Sequence, residues 1–438
     1  MTEERKLPEG RLGRLARLAG VGLRTGVSMI GDSDGAAAAK HAAEVLGTLR
    51  GLAAKVGQMA SYVDGVVPEG QRAAYETAMK GLRAATPTSS FAEVQRSIEE
   101  ELRAPLDRLF VRFDEVPIAS ASIGQVHRAW IAPPEGARDE PLEVAVKVQH
   151  PGIVKAIDAD LANAGMLQVV LGSVAGKRFK TKEQLAMVRQ RFREELDYAL
   201  EAERLRMFAR FHEGDETIRI PVVHDHRSTG RVLTTEFMHG TSFDEACGAD
   251  VRERTFFAET MWRFVYKGNL VHCHFNADPH PGNYLFRDGA VVFLDFGCVQ
   301  PIPLANIRLA RVMHAAAQAR DERMFADGFA RLLNAKQGAL LDIAVAYTRT
   351  CFEPLWHRPY HLTRAFVAAL VERTKEMALA ARKVDEDEFF AMPEEMLFMN
   401  RLQFGFYSVL ARLDVEADYS GVERGFWPAV DAMASTGR

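Results

Sequence analysis

Between residues 36 and 110 apolar positions recur every three or four residues, as at Leu46, Leu49, Leu52, Val56 and Met59. This period predicts a helical segment, broken by a turn at Pro68-Glu69-Gly70. The period then changes to two. Residues 123–131 and 142–149 alternate, and Pro133-Pro134-Glu135-Gly136 connects them, so two antiparallel strands are expected. Over residues 182–211, Leu185, Val188, Phe192, Leu196, Leu205 and Phe208 return to a helical period and predict one long amphipathic helix. Residues 231–237 read as a strand and 256–266 as a helix. The short apolar runs 284–286 and 291–296 flank Asp288-Gly289, a strong hairpin signal. Beyond Leu304 the pattern is helical nearly to residue 438.

Composition narrows the class of protein. With 438 residues, 47% hydrophobic and 26% charged, the chain can build a two-lobed core with an added helical segment. Its net charge of -4 supplies no general positive field, and no local basic patch replaces it, so nucleic acid is not expected as a partner. Cys247, Cys273, Cys298 and Cys351 occur singly, without CxxC spacing, which fits a reducing, cytoplasmic setting. No apolar run approaches the roughly 20 residues of a membrane helix; residues 165–175 fall short. Residues 11–30 carry Arg11, Arg14, Arg17 and Arg24 and no acids, interleaved with Leu12, Leu15, Leu18 and Val21. Two readings stand for this segment: a helix on an anionic membrane surface, peripheral to its inner face, or a helix packed on the protein body. Glu3, Glu4 and Glu9 argue against an organelle transit peptide.

Candidate chemistry begins in the second strand. Alternation over residues 143–148 puts Val144, Val146 and Val148 on one face and Ala145 with Lys147 on the other, so the lysine rises beside a small residue that leaves room for a flat base. On the predicted long helix Glu194, Asp197 and Glu201 share roughly one face with Glu195 beside them, and one of these carboxylates is expected to hold Lys147. Farther on, Asp278 and Asn283 are separated as the base and the metal-binding asparagine are in kinase catalytic loops, and Asp295-Phe296-Gly297 follows the hairpin. Asn283 and Asp295 are hard oxygen donors suited to Mg²⁺ on nucleotide phosphates. His272, Cys273, His274 and His280 crowd the same region, but their spacing matches no common zinc pattern, and His272 and His274 are expected to alternate in a strand or loop.

These motifs in this order resemble the UbiB/AarF (ADCK-type) family of atypical kinase-like proteins, over about residues 36–304. Lys55-Val56-Gly57-Gln58 resembles the KxGQ motif of its helical extension, and Ala119, Ser120, Ala121 and Ser122 resemble the alanine-rich loop that replaces the kinase glycine-rich loop. Glu195 and Asp197 match the ExD motif, and Glu201 stands where the family's lysine-pairing glutamate lies. The resemblance implies an α+β, two-lobed kinase-like fold: a basic segment at 1–35, a helical extension at 36–110, an N-lobe at 111–240 and a mainly helical C-lobe at 241–438. It implies ATP and Mg²⁺ as ligands and either ATP hydrolysis or small-molecule phosphorylation. It also implies a role near a membrane in ubiquinone or other prenyl-lipid metabolism, with a prenyl-lipid or quinone intermediate as partner.

By the same resemblance, Lys147 orients the phosphates, Asp278 positions the attacking hydroxyl or water, and Glu236, Phe237 and Met238 form the hinge that meets adenine. Glu195 and Asp197 contact Lys55 and Gln58 over the acceptor side. Two departures from the family pattern are Ser120 and Ser122 within the alanine-rich loop, and Asn276 where a histidine is usual. Only Cys298 to Pro303 separate Gly297 from the next helix, and no Ala-Pro-Glu follows, which disfavours docking of an extended protein substrate. A protein kinase and a non-catalytic nucleotide-sensing scaffold are the competing readings; the presence together of Lys147, Asp278, Asn283 and Asp295 speaks against the scaffold.

Overall fold

The computed structural model describes residues 89–436 except 122, 134–139, 163–189, 191–192, 288 and 382–393. Lys55, Gln58, Ser122, the basic segment 11–30, the apolar run 165–175 and the expected extension up to residue 88 lie outside the described residues.

Helix α1 (Phe91–Leu102) starts at a capping box in which Ser90 and Glu93 satisfy each other's backbone amides, and it turns Val94 and Ile98 inward. These two residues pack on Val144, Val146 and Val148, all at most 1% exposed, so one face of the lysine strand is sealed by α1. The sheet is antiparallel. β1 (Arg112–Phe113), β3 (Gly124–Ile131), β4 (Leu142–Gln149) and β6 (Val232–Glu236) lie side by side, and β2 (Ala119–Ser120) pairs with β3. The alternation of β4 thus has the expected sense: valines into the core, Ala145 and Lys147 toward the cleft.

The long helix expected over 182–211 is interrupted. Helix α2 runs Tyr198–Phe211, and Asp197 is its N-cap, accepting from the Ala199 and Leu200 amides. The Leu196 carbonyl accepts from Gln149 Nε2 on β4, and the Tyr198 amide donates to the Gly230 carbonyl. Each of these backbone groups at the break therefore has a partner outside a continuous helix, which makes the break stable. Glu194 and Asp197 consequently do not share one helical face with Glu201.

The C-lobe is organised on α3 (Val251–His272), capped by Asp250 and buried on several sides through Phe257, Met261, Trp262, Phe264 and Leu270. Buried residues around most of its circumference mark a core helix. It ends at Cys273, whose φ of 56° is left-handed. His272 is thus the last helical residue rather than part of an alternating strand, and only His274 enters β7 (His274–Asn276). The expected hairpin is β8 (Tyr284–Arg287) and β9 (Ala290–Phe293), with Gly289 at φ 67° in its turn. β5 (Ile218–Arg219) adds to β9 in parallel, and β10 (Val299–Pro301) pairs with β7. The tail is helical: α4 (Leu304–Ala319), α5 (Glu322–Leu333), α6 (Ala339–Cys351), α7 (Arg364–Ala381), α8 (Glu394–Leu413), α9 (Tyr419–Arg424) and α10 (Trp427–Thr436). Buried Glu423 on α9 ties the tail to the lobe by accepting from Trp262 Nε1 and pairing with His314 on α4. Among the described residues no helix is long and apolar enough to cross a membrane.

Candidate functional site

The cleft-facing lysine meets its partner on the helix below. Lys147 Nζ lies 2.8 Å from both carboxylate oxygens of Glu201 and 3.4 Å from Asp295 Oδ2. Of the carboxylates left open as its partner, the structure thus chooses Glu201. Glu201 is 3% exposed, and Tyr198 lies one turn earlier with its ring 4.9 Å from Nζ. Burial opposes the Lys147 ammonium, but the Asp295 and Glu201 carboxylates outweigh it and hold its pKa well above the ordinary lysine value. Burial also pushes Glu201 up to about 7, with Asp295 adding to the rise and Lys147 resisting it.

That value sets a pH dependence. Below about pH 7 Glu201 takes up a proton and Lys147 loses a charged partner, so nucleotide affinity is expected to fall on the acid side with a midpoint near 7. A titration of nucleotide binding against pH checks this, and Glu201→Gln should erase that limb. Stability runs the other way. Because the folded pKa is raised from 4.5, this group's stabilising contribution is present below pH 4.5 and is lost as pH rises through about 7.

The loop that carries Asp278 and Asn283 hangs between β7 and β8. Asn276 bridges it: Nδ2 donates to the Asp295 carbonyl at 2.6 Å, and Oδ1 accepts from the Asp278 amide at 3.2 Å. The residue that departs from the family pattern therefore joins Asp278 to the Asp295 segment with one donor and one acceptor. Asn283 Nδ2 donates to the Asp278 carbonyl at 3.0 Å, His280 Nδ1 accepts from the Gly282 amide, and the Ala277 amide donates to the Cys298 carbonyl. Asp278, Asn283 and Asp295 line one small cavity with Asn276, Tyr284 and Phe293. Asp295 Oδ1 accepts from the Gly297 amide at 2.9 Å, and Phe296 is fully buried against Phe208 of α2. A phenyl anchor beneath and a backbone amide above orient the Asp295 carboxylate toward the cleft.

The ExD pair separates. Glu195 comes near the Asp295-Phe296-Gly297 turn: a Cβ added to Gly297 would lie 4.0 Å from Glu195 Cγ and 4.0 Å from Glu201 Oε2. Asp197 is exposed and spends its carboxylate on the start of α2. At the end of β6 the Glu236 amide donates to the Val222 carbonyl and the Phe237 amide to the Glu143 carbonyl, so the segment expected as a hinge begins with ladder bonds, and Met238 follows half-buried. Ala119 and Ser120 form β2, paired with Val126 and Gln125, and the Ala121 amide donates to the Gly124 carbonyl. His150 Nε2 contacts the Ala121 carbonyl at 3.0 Å while its Nδ1 contacts Ser89 Oγ at 2.9 Å, a buried link from the loop to the segment ahead of α1.

Arg204 was not legible as a site residue. Its guanidinium donates to the Gly297 carbonyl at 2.8 Å, the Val299 carbonyl at 3.2 Å and Glu194 at 2.8 Å, so it clasps the strand after Asp295 to α2 and to the break before it. Its place one turn after Glu201 was the available signal, since residues three apart on a helix share a face. Tyr198 and Gln149 carry no such signal, because nothing in their spacing marks them as supports of Lys147 and of the Leu196 break.

Known proteins of one family resemble this chain in sequence, and a solved structure resembles it in fold. The sequence profile of the ABC1 atypical kinase-like domain matches residues 81–327. The mitochondrial atypical kinase COQ8 of Saccharomyces cerevisiae is 29% identical over 278 residues, covering 63% of this chain and 53% of that protein. The AarF domain-containing protein kinase 1 of Mus musculus is 31% identical over 266 residues, covering 57% and 47%. The chain spans about half the length of the curated relatives it matches. In fold it is similar to the structure of the Rv3197–erythromycin complex from Mycobacterium tuberculosis, with a TM-score of 0.60, 22% identity and coverage of 86% of this chain and 92% of that one. With more than half of its length matched by the profile and the α+β two-lobed architecture in place, the chain belongs to the ABC1 atypical kinase-like family, the UbiB/AarF group that its motifs resemble.

Proposed function

We propose that this chain binds ATP with Mg²⁺ and transfers its terminal phosphoryl group to water or a small acceptor, as a UbiB-type atypical kinase or ATPase working at a membrane surface in ubiquinone or other prenyl-lipid metabolism. One observation carries the reading: Lys147 is held by Glu201 and faces Asp295, while Asp278 and Asn283 share a braced loop with that aspartate.

Phosphoryl transfer needs positioning and charge compensation more than covalent chemistry. Lys147, kept protonated by its two carboxylate neighbours, orients the phosphates. Asp278 positions the attacking hydroxyl, and its backbone is fixed on both sides by Asn276 and Asn283. The donor set fits Mg²⁺. With its amide nitrogen given to the Asp278 carbonyl, Asn283 keeps its carboxamide oxygen for a cation, and Asp295 adds a carboxylate. When bound, the ion supplies the positive charge that offsets the phosphate oxygens. Ala119, Ser120, Ala121 and Ser122 would cover the nucleotide, and the segment from Glu236 to Met238 would meet its base. Lys55 and Gln58, with Glu195 and Asp197, would close the acceptor side.

The short span from Cys298 to Pro303 supports a small acceptor, since its central residues are spent pairing with β7. The arginines of residues 11–30 support an anionic lipid surface. The test is ATP hydrolysis by the purified chain with and without Mg²⁺, and with and without vesicles containing phosphatidylglycerol. Turnover that requires Mg²⁺ and rises with vesicles is expected; nucleotide binding without turnover in every condition would replace this reading with a non-catalytic sensor.

A further inference from the structure

We infer that His150 is a positioning residue for nucleotide binding: its imidazole and its backbone amide together hold the loop between Ala119 and Gly124 in place, and Ser89 fixes the ring in the state that does so. This inference rests on the phosphoryl-transfer reading and names what keeps the cover of that site in position.

The sequence puts His150 where it can act. It directly follows β4, three residues after Lys147, and the proline at 151 favours extended backbone at the residue before it. The Ile153 amide donates to the His150 carbonyl at 3.1 Å, with Pro151 and then Gly152, at φ 78°, in the middle of the turn, the residues that a type II turn favours. The strand therefore stops at His150. Its neighbour Gln149 is spent on the Leu196 carbonyl ahead of α2, so two successive residues fasten the helix that carries Glu201 and the loop.

Two bonds from His150 reach the loop. Its amide donates to the Ile123 carbonyl at 2.9 Å, and its Nε2 lies 3.0 Å from the Ala121 carbonyl oxygen. A carbonyl only accepts, so the ring hydrogen belongs on Nε2, and in the neutral imidazole Nδ1 is left to accept from Ser89 Oγ at 2.9 Å. Ser89 is itself fixed. Its amide donates to Gln125 Oε1 at 2.8 Å, and Gln125 Nε2 lies 2.8 Å from His127 Nε2. His127 Nδ1 faces the Asp114 carbonyl oxygen at 2.9 Å, so it carries the hydrogen, and Nε2 accepts from the Gln125 amide and sets that amide's orientation. Ser89, Gln125, His127 and His150 are all buried, and such a satisfied network is rigid.

Register joins the loop to the lysine. Val126 is the β3 partner of Lys147 and also pairs with Ala119 at the start of the loop. Without a donor at Nε2 the Ala121 carbonyl loses its bond, and the loop must be ordered each time nucleotide binds. That cost falls on affinity rather than on the chemical step.

Binding and turnover of ATP with Mg²⁺, and hydrogen exchange of a peptide containing Ala121 in the nucleotide-free chain, test the assignment in three variants. His150→Leu should raise Kd and KM for ATP about tenfold, the worth of one hydrogen bond, keep kcat within about threefold, and speed the exchange. The glutamine amide nitrogen can stand where Nε2 does, so His150→Gln should return affinity and exchange to within about threefold of wild type. Ser89→Ala, which frees the ring without removing its donor, should raise Kd only about threefold. Wild-type affinity in His150→Leu would overturn the inference. So would a His150→Gln chain as weak as His150→Leu, the result of a role in packing alone. If the wild type binds no ATP, the phosphoryl-transfer reading fails, and the exchange measurement still decides whether His150 holds the loop.

Discussion

Asp295→Asn is expected to lower Mg²⁺-dependent ATP turnover by about a thousandfold, the scale of losing a fixed charge at a phosphoryl-transfer centre. The substitution keeps the shape of the side chain and an oxygen able to accept from the Gly297 amide, so the turn that carries it should persist. What disappears is the negative charge that faces Lys147 at 3.4 Å and would hold the metal with Asn283. Nucleotide affinity measured without Mg²⁺ should change no more than about threefold, because Glu201 alone still pairs with Lys147 through both oxygens. Steady-state turnover and metal-free binding, measured on the same preparation, separate the two effects. Turnover within tenfold of wild type would remove Asp295 from the centre.

The largest expected effect on stability comes from the start of β3. A Cβ on Gly124 would lie 2.4 Å from the Val148 carbonyl oxygen and 2.6 Å from the Tyr198 hydroxyl, and the first of these is backbone of the neighbouring strand. Gly124→Ala should therefore cost about 3 kcal/mol, the upper range for overpacking a tight site, and lower the melting temperature by roughly 3 °C. Tyr198→Phe in the same chain removes one of the two collisions and should recover only part of the loss. Gly214→Ala is the contrasting case: its φ of 81° is unfavourable for alanine, but a Cβ there meets nothing within 4 Å, so only about 1 kcal/mol of backbone strain is expected. A melting temperature for Gly124→Ala no lower than that of Gly214→Ala would show that β3 and β4 can move apart without penalty.

Much of the site is legible in the amino-acid sequence because its parts lie in short, local patterns. The alternation of β4 puts Lys147 on the open face, the Asp288-Gly289 turn announces the β8–β9 hairpin, and the separation of Asp278 from Asn283 is a property of one loop. The helical period fails between Leu196 and Asp197 for a physical reason. Apolar spacing is blind to where a carbonyl finds its donor, and there the donor is Gln149, far away in sequence on another element. The same limit hides Arg204, whose partners Gly297 and Val299 reach it only through the packing of β10 beside α2.

By itself, then, the sequence determined most of the element types, the faces of the strands and the order of the chemistry-bearing residues, which rest on periodicity and spacing within a few turns of chain, and its motifs carried the resemblance to the family. The tertiary structure decided which carboxylate holds Lys147, what Asn276 does in place of a histidine, and why α2 begins at Tyr198. Each of these depends on groups from distant segments meeting at hydrogen-bond distance, and such meetings are set by packing of the whole core rather than by any local pattern.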